Sequence, residues 1–314
     1  MVTETQIRPY NFDANIKIAP HLVTFGEINN GVHHPHVETA DFPQDDPWSR
    51  HMTSVITSLR EAGEFLGKEV TEFGVGDARN LIRAGQGITR FTAVDIDEWR
   101  LAIGLGNLAN NPLTESTPTE GWDKDAISVL NGWAQEGKRI SGVVLACLPQ
   151  SPDGQNSADR YKEDDPLYEH YQQWNQFGLT LNAALLTTLK PLVTSETNVL
   201  LMLSDRVPAE TRERLIKSTG WQIEAEYLTE TPIQQDPDTG ISWVEKFDDG
   251  KRFYEKTSTS LFAPIDAETA ETRRRHSIAS GGGREELNVY HNLSVYKLSP
   301  RPTEVTLFNS KQHA

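Results

Sequence analysis

The chain has 314 residues, which is long enough to bury a large hydrophobic core without disulfide support. Its 30 lysines and arginines stand against 45 aspartates and glutamates, so the formal net charge is -15 at pH 7. A surface of this charge repels phosphate backbones over most of its area, which disfavours DNA and RNA as substrates.

The cysteine count and the apolar pattern bear on the compartment of the chain, and the single cysteine favours a reducing one. Its one cysteine, Cys147, excludes an internal disulfide and a cysteine zinc site within one chain. No apolar run approaches the length of a membrane span, and residues 1–5 lack the basic and apolar regions of a signal peptide. We therefore expect a cytoplasmic protein that contacts no membrane, and its oligomeric state stays open.

Residues 1–50 are rich in proline, histidine and acidic side chains and show no sustained periodicity. This composition predicts an irregular N-terminal arm or lid, followed by one catalytic domain over residues 51–314. His33, His34 and His36 suggest a metal site, but their spacing fits no common zinc arrangement and no carboxylate pattern accompanies them. We expect no metal.

A glycine-rich turn dominates the pattern of the domain. Residues 70–76 predict a short strand that runs into this turn, and residues 91–97 predict a second strand that ends in two carboxylates. This is the layout of a nucleotide-binding βαβ unit, in which Gly74 and Gly76 let a ligand approach the backbone. Arg79 replaces the third glycine of the dinucleotide pattern, which favours a ligand without a pyrophosphate.

This stretch resembles the S-adenosylmethionine site of class I methyltransferases. The resemblance implies that Glu72, Gly74 and Gly76 lie against the amino-acid end of S-adenosylmethionine. It also implies that Asp95 takes the ribose hydroxyls, with Asp97 as the second candidate. The alternative is an ordinary strand-to-helix turn with solvated carboxylates.

The next segment predicts a helix over residues 99–108, which ends at the Asn-Asn-Pro sequence that follows. The chain from there to residue 125 is poorly patterned. In the resembled fold an acid in this region commonly reaches the adenine amino group, which makes Asp125 or Asp123 the candidate.

Residues 140–147 form a continuous apolar run, which predicts a central parallel strand that is covered on both faces. Ligands of open α/β sheets bind beyond the carboxyl ends of such strands. Residues 147–150 resemble the Asn-Pro-Pro-Tyr motif of amino-methylating enzymes, with Cys147 for asparagine and Gln150 for tyrosine. We expect Gln150 to position a substrate and Cys147 to line the cofactor site as a small apolar residue.

Residues 151–175 predict a polar substrate loop that leads into a short helix. Tyr168, Tyr171 and Trp174 alternate with carboxylates there. Aromatic faces beside carboxylates could enclose a sulfonium or ammonium group, worth about 1–2 kcal/mol when desolvated. Packing of these rings against the core is the alternative.

The remainder predicts a helix over residues 177–189, a buried strand over 198–203, a helix over 210–218 and an edge strand over 221–227. An insertion near residues 236–286 follows. Its polar part, residues 264–286, is expected to be partly disordered, with the basic run at 273–275 in a mobile loop. Residues 287–298 predict a final strand.

These pieces together resemble the methyltransferase domain of plant methionine S-methyltransferases. The likeness is carried by residues 70–76, 146–150, 176–179, 238–242 and 293–296, of which Cys-x-Pro-Gln at 147–150 is the most specific. The family glycines after the fifth strand are replaced by Ser204 and Asp205, although Arg206 is retained, and the large extra domain of the plant enzymes is absent.

The resemblance implies a Rossmann-like α/β class I methyltransferase fold with a mostly parallel central sheet, an N-terminal arm or lid and inserted cap segments. It also implies S-adenosylmethionine and a small-molecule substrate, with methyl transfer to a thioether or amine of an amino-acid-like metabolite. In our hypothesis for that reaction, Gln150 and the cluster of Tyr168, Tyr171 and Trp174 orient the substrate, and Arg206 meets its carboxylate.

Two other functions stay open. Bacterial enzymes that cyclise S-adenosylmethionine to azetidine-2-carboxylate also look like methyltransferases, and in such a reaction Ser204 or Tyr171 would accept or relay the amine proton. The third possibility is a module that binds S-adenosylmethionine without reacting it, since fold does not fix function.

Overall fold

The structure is a computed structural model that describes residues 47–150, 166–237, 239–281 and 287–302. No helix in these ranges is long and apolar enough to cross a membrane. Most of the predicted arm, residues 1–46, and the first part of the predicted substrate loop, residues 151–165, lie outside the described residues. So do His33, His34 and His36.

A seven-stranded sheet forms the centre of the described chain, in the order β3-β2-β1-β4-β5-β11-β6. The first five strands in sequence pair in parallel, and β11 runs antiparallel between β5 and β6. The strands are β1 (Glu69–Phe73), β2 (Arg90–Val94), β3 (Thr119–Trp122), β4 (Val143–Ala146), β5 (Asn198–Ser204), β6 (Trp221–Leu228) and β11 (Leu293–Pro300). The expected Rossmann-like fold with a mostly parallel sheet is confirmed.

Helices cover both faces of the sheet because the apolar side chains of its strands point alternately to either side. One core lies beneath α1, α2 and α3, and the other lies beneath α4, α6 and α7. The helices of the described chain are α1 (Pro47–Glu61), α2 (Arg79–Ala84), α3 (Glu98–Asn110), α4 (Ala126–Gln135), α5 (Pro166–Asn175), α6 (Thr180–Leu189), α7 (Ala209–Ser218) and α8 (Ala267–Ala279).

Helix α1 and strand β3 add detail to the predicted layout. Helix α1 begins at Pro47 and so includes residues 47–50, the last part of the range predicted as the arm. Strand β3 lies in the segment whose sequence is poorly patterned. The pattern is weak because only the last two residues of the strand are buried, without alternation. Pairing with β2 rather than side-chain pattern forms it.

The insertion is more ordered than its composition predicts. Beside the 3₁₀ segment Ser242–Phe247, a small second sheet has the order β7-β10-β8-β9. Its strands are β7 (Ile233–Gln234), β8 (Phe253–Lys256), β9 (Phe262–Ile265) and β10 (Tyr290–His291). The predicted final strand therefore divides between two sheets, as β10 and β11.

The expectation of a mobile basic loop within residues 264–286 is wrong for residues 267–279, which form α8. Asp266 caps this helix by accepting from the Thr269 amide. The buried Glu271 carboxylate then accepts hydrogen bonds from Arg274 and Arg275, one turn further along. Arg273, the first arginine of the run, pairs instead with Glu255 of β8. Composition alone does not reveal these ion pairs.

We predict that Gly142→Ala destabilises the fold by about 3 kcal/mol, because strain and overpacking add at this position. Gly142 has φ +87°, and a Cβ there would lie 2.2 Å from the Glu69 carbonyl oxygen. Gly137→Ala is the matched control, since Gly137 also has a positive φ, +68°, but no atom within 4 Å of its Cβ position. The control should lose about 1 kcal/mol. Equal losses in urea denaturation would contradict the prediction.

Candidate functional site

The candidate residues follow the carboxyl ends of β1, β2, β4 and β5, which meet at one edge because these strands are parallel. In this kind of sheet the ligand site lies at that edge. The structure therefore brings the glycine turn, Asp95, the segment after Ala146 and Arg206 to the same edge of the sheet.

The glycine turn is fastened to the end of β2. The amides of Gly74 and Val75 donate to the Val94 carbonyl oxygen at 2.8 and 3.2 Å. Gly74 has φ +76°, a conformation that other residues adopt only with strain, and a Cβ there would lie 3.5 Å from the Leu148 side chain. At Gly74, therefore, no side chain lies between the backbone of the turn and the segment that follows β4.

Asp95, the residue after β2, links the glycine turn to the chain that enters α3. Its Oδ2 accepts from the Gly76 amide at 3.0 Å and its Oδ1 from the Asp97 amide at 2.9 Å. Burial raises the pKa of Asp95, and the two backbone amides oppose that rise. Each oxygen keeps a second lone pair, so the carboxylate can accept from a further donor such as a ribose hydroxyl.

The turn has a close helix contact despite the missing third glycine. A Cβ on Gly104, in α3, would lie 2.8 Å from the Gly76 carbonyl oxygen. Gly104 therefore gives the close packing that the dinucleotide pattern obtains from its third glycine. Arg79, which stands at that position, forms an ion pair with the buried Asp77 instead.

Glu72 and Asn80 form a buried polar pair beneath the turn. Asn80 Nδ2 donates to Glu72 Oε1 at 2.7 Å. Among the described residues, no group donates to Glu72 Oε2 or to Asn80 Oδ1. Burial raises the pKa of Glu72 well above its ordinary value, and Asp77 and Asp95 raise it further. Two buried acceptors without donors fit a ligand that brings N–H or O–H groups, such as an ammonium.

Asp97 and Asp125 both cap helices. Asp97 Oδ1 accepts from the Trp99 and Arg100 amides at the start of α3. Asp125 Oδ1 accepts from two amides at the start of α4. Their roles at ribose and adenine stay predictions, and the capping bonds explain why each acid lies where it does.

The segment after β4 is clamped to β5 by a side-chain amide. Gln150 Nε2 donates to the Met202 carbonyl oxygen at 2.7 Å, and Gln150 Oε1 accepts from the Ser204 amide at 2.9 Å. Gln150 thus continues the pairing of β4 with β5 past the last residue of β4. Its predicted contact with a substrate would need the remaining N–H and lone pair. Cys147 is half-buried and packs against the core beneath the turn.

Ser204, Arg206 and His291 form a buried cluster after β5. Arg206 donates to Ser204 Oγ from Nε at 2.9 Å and from its backbone amide at 3.2 Å. Ser204 Oγ also lies 3.2 Å from His291 Nδ1. Burial and the nearby Arg206 charge hold the pKa of His291 well below its ordinary value. Ser204 Oγ therefore accepts hydrogen bonds from Arg206 in this arrangement. Its predicted role as a proton acceptor or relay would require a lone pair that these bonds already use.

The predicted aromatic wall is only partly at the edge. Trp174 is 5% exposed and lies in the main core, with the Arg214 guanidinium 5.4 Å from its ring centroid. Tyr171 lies at a kink in α5 and contacts the His170 ring at 4.8 Å between centroids. The side chain of Tyr168 lies outside the described residues. These contacts favour a packing role for Trp174.

Sequence reasoning missed five described residues of the site. They are Asn80, Trp48, Gln235, Trp243 and His291, which contact Glu72, Arg206 or Ser204. Only Asn80 carries a local signal, because it follows the glycine turn. The others come from α1, the residue after β7, the insertion and β10. The described residues contain no group of three or more histidine, cysteine or acidic side chains placed to bind a metal.

No protein-family model and no curated protein matches the chain. Similar solved structures include the SAM-dependent methyltransferase from Agrobacterium tumefaciens, at 12% identity over 89% of this chain and 70% of that one, with TM-score 0.48. Magnesium protoporphyrin IX methyltransferase from Synechocystis PCC 6803 with bound SAM has 17% identity over 62% and 80%, with TM-score 0.41. A structure described as an RNA methyltransferase candidate from Pyrococcus horikoshii has 11% identity over 83% and 92%, with TM-score 0.43.

We predict that Glu72→Gln stabilises the ligand-free protein by about 1 kcal/mol at pH 7.5, because a neutral amide avoids burying a charge beside an unpaired oxygen. The folded-state pKa of Glu72 lies above its ordinary 4.5, so its contribution is fully present below pH 4.5 and is lost as the pH rises through the folded pKa. The gain should therefore shrink toward pH 5 in urea denaturation.

Glu69→Gln, on the same strand and half-exposed, is the matched control and should show no such pH dependence. A folded Glu72→Gln variant that is less stable than the parent at pH 7.5 would contradict the prediction.

Proposed function

We propose that this protein, with its mostly parallel α/β sheet, is an S-adenosylmethionine-dependent methyltransferase that acts on a small molecule. The observation that carries the proposal is a pair of buried oxygens next to the glycine turn, Glu72 Oε2 and Asn80 Oδ1, which accept no hydrogen bond from any described residue. A ligand with an ammonium group and a ribose would satisfy these acceptors and Asp95 together.

Different residues at the carboxyl edge of the sheet would bind different parts of S-adenosylmethionine. Glu72, Gly74 and Gly76 would face the amino-acid end of S-adenosylmethionine, and Asp95 its ribose hydroxyls. Asp97 and Asp125 remain candidates for the ribose and the adenine. A small acceptor is favoured over RNA or DNA by the net charge of -15, which opposes a phosphate backbone.

Methyl transfer asks little covalent chemistry of the chain. S-adenosylmethionine supplies a methyl group on a sulfonium, which a lone pair of the acceptor displaces, leaving S-adenosylhomocysteine. The chain has to align the acceptor, exclude water and, for an amine acceptor, receive one proton. A thioether acceptor releases no proton. Among the described residues around Arg206, His291 is a weak base because burial and the Arg206 charge lower its pKa, which favours a thioether of an amino-acid-like metabolite.

The first test is to incubate the purified protein with S-adenosylmethionine alone and then with L-methionine and other small amino acids, and to follow adenosine products by mass spectrometry. S-adenosylhomocysteine that appears only with an acceptor supports methyl transfer. Methylthioadenosine formed from S-adenosylmethionine alone would replace this proposal by cyclisation. Binding without any turnover would indicate a non-catalytic module.

We predict that Asp95→Asn weakens S-adenosylmethionine binding about tenfold or more, because one of its oxygens becomes a donor that faces backbone amides and ribose hydroxyls. Glu98→Gln, an exposed acid three residues further on, is the control and should bind with unchanged affinity. Calorimetric titration of both variants measures the difference, and thermal melting checks that each is folded. Unchanged affinity in a folded Asp95→Asn protein would contradict the role of Asp95.

A further inference from the structure

Arg206 is a buried cation that, among the described residues, donates hydrogen bonds only to neutral groups. Its side chain is 2% exposed, just after the carboxyl end of β5. Its guanidinium donates to Ser204 Oγ from Nε at 2.9 Å and to Gln235 Oε1 from Nη1 at 3.3 Å. Neither partner carries a charge, so these bonds leave the positive charge of the guanidinium uncompensated.

A second buried arginine in the same protein has its charge compensated by carboxylates. Arg212 is 4% exposed and forms ion pairs with Asp205 at 2.5 Å and Glu226 at 3.5 Å. Within the described ranges, no carboxylate forms an ion pair with Arg206, and Asp236 acts on it only as a more distant charge. Burial lowers the pKa of Arg206 to about 10, so the group stays cationic at neutral pH.

Two indoles flank this cation. The ring centroid of Trp48 lies 5.5 Å from Arg206 Cζ, and that of Trp243 lies 5.8 Å from it. Trp48 comes from the start of α1 and Trp243 from the insertion, so segments outside the central sheet enclose the guanidinium. Cation–π contacts hold a cation in place but do not neutralise it. The His291 ring, 5.8 Å from that of Trp48, is kept neutral by its low pKa.

We propose that Arg206 binds the carboxylate of the small molecule on which the protein acts, with Trp48 and Trp243 as the walls of that subsite. A single guanidinium matches the single negative charge and the two oxygens of a carboxylate. Keeping an unpaired charge buried is costly unless a ligand repays it. The position beside the carboxyl edge of β4 and β5 places the subsite next to the candidate S-adenosylmethionine site. The inference rests on the proposed function.

Two molecules could bring this carboxylate. One is a separate amino-acid acceptor, and the other is S-adenosylmethionine itself, through its aminocarboxypropyl arm. The chemistry that Arg206 recognises is the same in both cases. The source of the carboxylate decides whether Arg206 governs the acceptor or the donor.

The test uses pairs of ligands that differ only in the carboxyl group. Binding to the full-length protein is measured by calorimetry for S-adenosylmethionine against decarboxylated S-adenosylmethionine. It is then measured for L-methionine against L-methioninol, in the presence of sinefungin. A loss of about tenfold or more with the first pair assigns the carboxylate to the donor, and with the second pair to the acceptor. Equal binding within both pairs would overturn the inference.

Variants then connect the carboxylate to the residue. Arg206→Met should abolish the preference for the carboxylate-bearing member of the pair, and Arg206→Lys should retain part of it, because lysine keeps the charge and loses the planar fork. Lys217→Met removes an exposed cation of α7 and should leave the preference unchanged. A folded Arg206→Met protein that keeps the full preference would overturn the inference.

These outcomes separate the inference from the proposed function. The binding preference is read without turnover, so a protein that proves inactive still shows whether Arg206 selects a carboxylate. Conversely, S-adenosylhomocysteine formation without any carboxylate preference would keep the methyltransferase proposal and remove the subsite. If Arg206→Met fails to fold, Arg206→Lys decides the question, because it should retain only part of the preference. A folded Arg206→Lys protein with the full preference would overturn the inference.

Discussion

The buried carboxylate of Asp95 is the interaction on which the candidate donor site depends. It accepts one amide from the glycine turn and one from the chain that enters α3, so it joins the ends of β1 and β2 into a single rigid corner. A carboxylate can do this at low dielectric only because backbone N–H groups stabilise its charge. The same corner then sets where Glu72 and Gly104 lie relative to the turn.

Two buried ionisable groups lie at the candidate site. Glu72 and Arg206 form no ion pair with a described residue, although both have hydrogen bonds to neutral side chains. Opposite charges act on them without an ion pair, from Arg79 on Glu72 and from Asp236 on Arg206. Burial raises the pKa of Glu72 and lowers the pKa of Arg206, which in each case favours the uncharged form. One group suits a cationic end of a ligand and the other an anionic end, which together match the two charges of an amino acid.

Three parts of the chain surround the Arg206 side chain. Trp48 comes from the first helix, Trp243 from the insertion and Gln235 from the residue after β7. The first helix also belongs to the main fold, since its apolar residues Met52, Val55 and Ile56 lie in the core on one face of the sheet. The surroundings of Arg206 therefore depend on contacts between segments that are far apart in the sequence.

The sequence by itself determined the central strands, the glycine turn and the acid after β2, because burial on both faces and tight backbone turns leave strong local patterns. It also indicated the polar segment after β4 and the arginine after β5. Tertiary structure decided what those side chains contact. Gln150 donates a hydrogen bond to β5, Ser204 accepts one from Arg206, and α8 forms where composition suggested a loop, with its arginines paired to Glu271 and Glu255. Contacts between residues far apart in the chain have no period or spacing, so only the folded structure could reveal them.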